Sequence, residues 1–143
     1  MQSQEVTVYR EIQRNTEMAM KALDTMSDKV YDDQLAMQLS RQSLKYSQLH
    51  DEATKQLLAA KAELYHENHL SNLMLKMGIH CNTLLNTSTS HIAELMIKGS
   101  NKGIIEMQKT LNHNEGAEEQ TVNLAKQLLD FESKNVERLK QYL

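Results

Sequence analysis

Residues 70–97 read LSNLMLKMGIHCNTLLNTSTSHIAELMI, and only Lys76 and Glu94 among them carry a formal charge, in a chain that is otherwise 24% Asp, Glu, Lys and Arg. A stretch this poor in charge has to be shielded from water by the rest of the chain. It is long enough for a membrane span. However, Asn72, His80, Asn82, Thr83, Asn86, Thr87, Ser88, Thr89, Ser90 and His91 would put too many polar groups into lipid. It therefore reads as a core element, with the remaining chain organised around it.

The surrounding composition says what that organisation is. The 143 residues include no proline and four glycines, so the two strongest helix breakers are nearly absent, while Leu, Met, Ala, Gln, Glu and Lys abound. One all-helical domain is expected, long enough to bury roughly two-thirds of its unfolded surface. Nine methionines and only 4% aromatic residues point to a core filled by flexible, unbranched side chains. A net charge of −3 with scattered Lys and Arg lacks the basic face that a phosphate backbone requires, so nucleic acid is not an expected partner. The lone Cys81 cannot close an intrachain disulfide, and the N-terminal MQSQEVTVYREIQ has no signal-type apolar run. Together these predict a cytoplasmic protein.

Periodicity predicts four long helices. Tyr9, Ile12, Thr16, Ala19, Leu23, Met26 and Val30 step by threes and fours, giving helix 1 over about 5–28. Ser27, Asp28, Asp32 and Asp33 then supply cap-type side chains for helix 2, predicted over 33–65. Its face is Leu35, Leu39, Gln42, Tyr46, Leu49, Ala53, Leu57, Ala60 and Leu64. An uninterrupted helix from His69 to Leu111 would be about 65 Å long against roughly 40 Å for its neighbours, so a break is required. Gly78 and the run 86–90 are the candidates, giving a short connecting helix at 70–82 and helix 3 at 85–112. Helix 3 carries Leu85, Ser88, Ile92, Leu95, Met96, Gly99, Gly103 and Met107 on one stripe, and the two glycines of GSNKG (99–103) predict a close approach of a neighbouring element. After the turn at 112–116, helix 4 has Glu118 and Glu119 in its first turn and Arg138 and Lys140 in its last, both favourable to its dipole. Its stripe is Val122, Ala125, Leu129, Glu132, Val136, Leu139 and Leu143.

Two antiparallel pairs joined by a long connection between helices 2 and 3 resemble the layout of the ferritin-like four-helix-bundle superfamily. That resemblance implies a metal-binding centre built from inward Glu residues and paired Glu-x-x-His motifs. Here one such motif occurs, Glu63-Leu-Tyr-His66, at the end of helix 2 and off its apolar face.

Glu132 holds a core-phase position in helix 4, with Asn135 three residues on. A buried carboxyl needs a cation or hydrogen-bond donors. Counting from helix ends puts Thr16 and Gln42 at about its height. The three form either a hydrogen-bonded layer that sets register or a metal or ligand site, with His50 as an outer candidate. Glu106 is expected roughly 15 Å from Glu132, and His80 and His91 are too far apart for a zinc pair. Cys81 follows His80 directly, and adjacent helical residues point about 100° apart, so it reads as a small buried thiol.

The sequence thus predicts an all-α four-helix bundle, up-and-down or ferritin-like, with a short extra helix between helices 2 and 3. It reads as a non-enzymatic structural or interaction protein without a cofactor, self-associating as a homo-oligomer such as a dimer or meeting another protein partner. The alternative is a degenerate ferritin-like protein holding iron, manganese, zinc or a small ligand at the bundle centre through Glu132, Gln42 or His50.

Overall fold

The computed structural model describes residues 1–65 and 87–143. Four long helices carry the described chain: α1 over Ser3–Ser27, α2 over Asp33–Ala59, α3 over Thr89–Asn112 and α4 over Glu119–Leu139, the last followed by a 3₁₀ turn over Lys140–Tyr142. The all-α four-helix bundle expected from composition and periodicity is the observed fold, with no strand among the described residues.

Side-chain contacts fix the directions of the helices. Gln13 Nε2 donates to Thr54 Oγ1 at 2.8 Å, and His50 Nε2 meets Glu17 Oε1 at 3.0 Å, so α2 runs antiparallel to α1. Asn15 Nδ2 donates to the Gly103 carbonyl at 2.9 Å, and the Gly116 N–H donates to Gln4 Oε1 at 2.7 Å, so α3 is also antiparallel to α1. The packed pairs are α1 with α2, α3 with α4, α1 with α3, and α4 with both α1 and α2. Consequently α2 and α3 point the same way, and the end of one and the start of the other lie at opposite ends of the bundle.

Local chemistry explains the boundaries. Asp32 caps α2, its Oδ1 accepting the Leu35 N–H at 2.8 Å, as the acidic cluster at 28–33 predicts. Ser88 caps α3 by accepting the His91 N–H at 3.2 Å, so the helix starts at Thr89 rather than 85. Helix 2 is shorter than expected, because the chain leaves it at Ala59 and not at 65. There the Ala62 N–H donates to the Leu57 carbonyl at 2.9 Å and the Lys61 N–H to Leu58 at 3.0 Å, the paired bonds of a Schellman motif. Lys61 takes the left-handed conformation, φ 55°, that glycine usually supplies in this motif. Its sequence therefore gave no signal. The chain then turns back toward the bundle, so that Leu64 packs on the core and the Tyr65 N–H donates to Gln13 Oε1 at 3.0 Å. The connecting helix expected at 70–82 lies outside the described residues, as do Gly78, Cys81, His80, His66 and Leu85.

The core is filled by Val8, Ile12, Leu23, Met26, Leu35, Leu39, Tyr46, Leu49, Leu57, Ile92, Met96, Met107, Leu128 and Leu139, among others. Leu35 through Leu57 of the predicted α2 face are all buried. On α4 the buried face is rotated from the predicted stripe. Thr121, Leu124, Leu128 and Asn135 lie inside with Ala125, Glu132, Val136 and Leu139, whereas Val122 and Leu129 are half-buried and Leu143 is exposed. The rotation follows from α4 packing on three neighbours, which widens the buried arc beyond one narrow seam. Among the described residues no helix is long and apolar enough to cross a membrane.

Candidate functional site

At mid-bundle, Glu132 of α4 is 1% exposed. It accepts hydrogen bonds from the hydroxyls of Ser100 on α3 and Tyr46 on α2. Tyr46 in turn accepts from Asn135 Nδ2 at 3.2 Å, and its ring meets Phe131 edge to face at a centroid distance of 4.9 Å. Thus three helices contribute to one buried polar network. None of these partners is charged, so burial pushes the Glu132 carboxyl up to about 7, with the Ser100 and Tyr46 hydroxyls opposing the rise. Burial and the nearby Glu132 charge hold the Tyr46 phenol well above its ordinary value.

The network is incompletely satisfied. Glu132 Oε2, Asn135 Oδ1 and both side-chain atoms of Gln42 are buried without a hydrogen-bond partner. A buried polar atom left unpaired typically costs about 1–3 kcal/mol. Beside the carboxyl lies a cavity of about 30 Å³, walled by Met18, Ala19 and Ala22 of α1, Tyr46, and Met96, Gly99 and Gly103 of α3. That volume admits a water molecule. Arg14, Lys102 and Glu106 stand on the same lining, and the two cations already have carboxylate neighbours: Arg14 Nη1 is 2.6 Å from Glu11 Oε1, and Lys102 Nζ is 4.0 Å from Glu106 Oε1. Burial raises the Glu11 carboxyl above its ordinary value, Arg14 opposes the rise, and Glu106 adds to it.

Of the residues singled out in the sequence, Glu132 is buried on the core face as expected, but its layer has other members. Thr16 is not one of them. Its hydroxyl bonds back to the Ile12 carbonyl at 2.7 Å and to that of Gln13 at 3.1 Å, a common use of a mid-helix threonine. Counting from helix ends misplaced it because α2 ends six residues earlier than 65 and the ends of α1 and α2 are not flush. The Gln13–Thr54 and Glu17–His50 pairs set the true height, which brings the 18–22 segment of α1 to the Tyr46 level. Gln42 is buried one turn from Tyr46 but makes no bond to the network. His50 is turned to α1 and held by Glu17. Glu63 follows the end of α2 and so is not on that helix. Ser100 was the member overlooked, although the steps from Met96 and to Gly103 and Met107 place it on the α3 stripe.

The arrangement can accept protons and donors at one carboxyl, but it does not fit the metal centre implied by the ferritin-like layout. One carboxylate with two hydroxyls and an amide is not a diiron or zinc donor set, and among the described residues no group of three or more His, Cys, Asp or Glu is placed to hold a metal ion. Compared with family models, curated proteins and solved structures, the chain matches none.

Proposed function

We propose that this chain is a non-enzymatic interaction bundle that pairs with a second copy of itself through the outer face of α2. One observation carries the reading: Met37, Leu44 and Leu58 are each more than half exposed and recur at multiples of seven residues. A heptad interval keeps side chains on one narrow stripe of a helix. Ser40 and Ser47 lie between them, small enough for a facing helix to come close. Asp51 takes the intervening heptad position on the stripe itself, and Arg41 and Lys55 flank it, so both signs of charge lie where a self-complementary two-fold contact can pair them.

Sedimentation equilibrium of the wild type and of a Leu44→Glu/Leu58→Glu double variant tests this. A wild-type dimer that becomes a folded monomer in the variant is the expected result. A wild type that sediments as a monomer at every concentration tried, or a variant that keeps the dimer mass, overturns the reading.

A second reading, a bundle holding a small ligand at its centre, is favoured by the unpaired Glu132 Oε2 beside the cavity. The helix directions are compatible with the ferritin-like layout suggested by the sequence, without its metal-ligand set.

A further inference from the structure

We propose that the cavity beside Glu132 is a binding site for a small aliphatic primary ammonium ion, whose N–H groups donate to the carboxylate while its carbon chain lies between α1 and α3. The inference rests on the second reading above and is independent of self-association. Its basis is a mismatch between what surrounds Glu132 and what a buried carboxylate requires. An ionised carboxylate only accepts hydrogen bonds, and it is retained in a protein interior when a cation or several donors meet it. Glu132 has two hydroxyl donors, and its Oε2 has none although it is buried. The cations on the cavity lining are Arg14 and Lys102, and both are beside carboxylates of their own helices.

The remaining wall sets the ligand class. The cavity of about 30 Å³ seats the ammonium head alone, so the two methionines, Met18 and Met96, must change rotamer to admit an alkyl chain against Ala19 and Ala22. On the α3 side, Gly99 and Gly103 leave room beside Met96, Ser100 and Glu106. A divalent metal would want several carboxylate or imidazole ligands, and an anion would face the Glu132 and Glu106 carboxyls. A neutral alcohol would satisfy Oε2 but not the charge. An ammonium group satisfies both.

Amide chemical shifts followed during titration with butylammonium, butanol and butyrate test the assignment. Butylammonium keeps its charge across neutral pH, so its affinity follows the ionised fraction of Glu132 and is expected to be about tenfold higher at pH 8 than at pH 6 for a carboxyl titrating near 7. The charged and titratable groups that share the cavity lining with Glu132 are Arg14 of α1, paired with Glu11, Tyr46 of α2, and Lys102 and Glu106 of α3. His50 lies one turn from Tyr46 and is held by Glu17 on α1, so His50→Gln is expected to leave the ratio unchanged. Glu132→Gln is expected to weaken binding at pH 8 at least tenfold with the amides still dispersed. If that variant does not fold, the wild-type pH ratio decides alone.

Equal affinity at the two pH values, or butanol binding as tightly as butylammonium, overturns the ammonium assignment. Saturable shifts at Ser100 and Tyr46 with butanol or butyrate alone would keep a central ligand site of another class. No shift at these residues with any of the three removes the central-site reading itself.

Discussion

Two seams of α1 are built differently. Against α2, Ile12, Leu23 and Met26 face Leu39, Leu49, Ala53 and Leu57 in a continuous apolar zip, flanked by the Gln13–Thr54 and Glu17–His50 pairs. Against α3, the same helix meets a glycine through Asn15 and leaves a cavity that reaches Glu132. The first seam supplies stability by burying apolar surface, at about 25 cal/mol per Å². The second holds a polar network whose charge state depends on the medium. Stability and chemistry are thus kept on adjoining faces of one helix.

The sharpest way to test that contrast is pH. Glu132 has a folded value of about 7 against an ordinary 4.5. The folded state therefore binds more protons than the unfolded one between these values, and stability is fully present below the lower value and lost as pH rises through the upper one. Each unit of separation corresponds to about 1.4 kcal/mol, so the wild type should lose about 3 kcal/mol between pH 4 and pH 8 relative to Glu132→Gln. Urea unfolding of both proteins at the two pH values measures it, and parallel profiles would mean that Glu132 is ionised or solvated in the fold. Leu57→Ala, on the dry seam, is expected to destabilise equally at both pH values. Glu132→Leu at pH 8 should be at least as stable as wild type, because it removes a buried charge at similar volume.

A smaller effect is expected where α1 and α3 touch. A Cβ at position 103 would sit 2.9 Å from Asn15 Oδ1, so Gly103→Leu must push the seam apart, at a cost of about 1–3 kcal/mol. Gly103→Ala needs only a shift of the flexible Asn15 side chain and gains about 1 kcal/mol of helix propensity, so it should be close to neutral. Thermal melts of the pair separate tight packing from loose: if the leucine variant melts like wild type, the α1–α3 seam is not tightly packed at this point.

The smallest effect lies at the end of the α1–α2 hairpin. Lys61 is exposed and left-handed at φ 55°, a conformation that costs a non-glycine residue roughly 1 kcal/mol. Lys61→Gly should recover most of that and raise the melting temperature by a few degrees. A lower melting temperature would show that the Schellman turn is not populated in solution.

The two seams also differ in how readable they were. The α2 face from Leu35 to Leu57 was legible because a helix packed along one main partner keeps one narrow stripe. On α4 the predicted stripe failed at Val122 and Leu129 because several neighbours share the helix. The C-terminus of α2 was hidden because lysine stands at a position that glycine normally marks. Glu132 could be picked out as a polar residue in core phase, whereas Thr16 looked equivalent and is not, since a hydroxyl can satisfy itself on its own helix and a carboxylate cannot.

By itself, the sequence determined the helical class, the four long helices of the described residues, the acidic cap of α2 at Asp32, and the presence of a carboxyl on a buried face. All of these follow from propensity and spacing within one segment. Only the tertiary structure decided that Ser100, Tyr46 and Asn135 surround Glu132, that Thr16 and His50 do not, and that a cavity adjoins it. Those facts depend on the axial offset between helices, which is set by packing summed over whole faces.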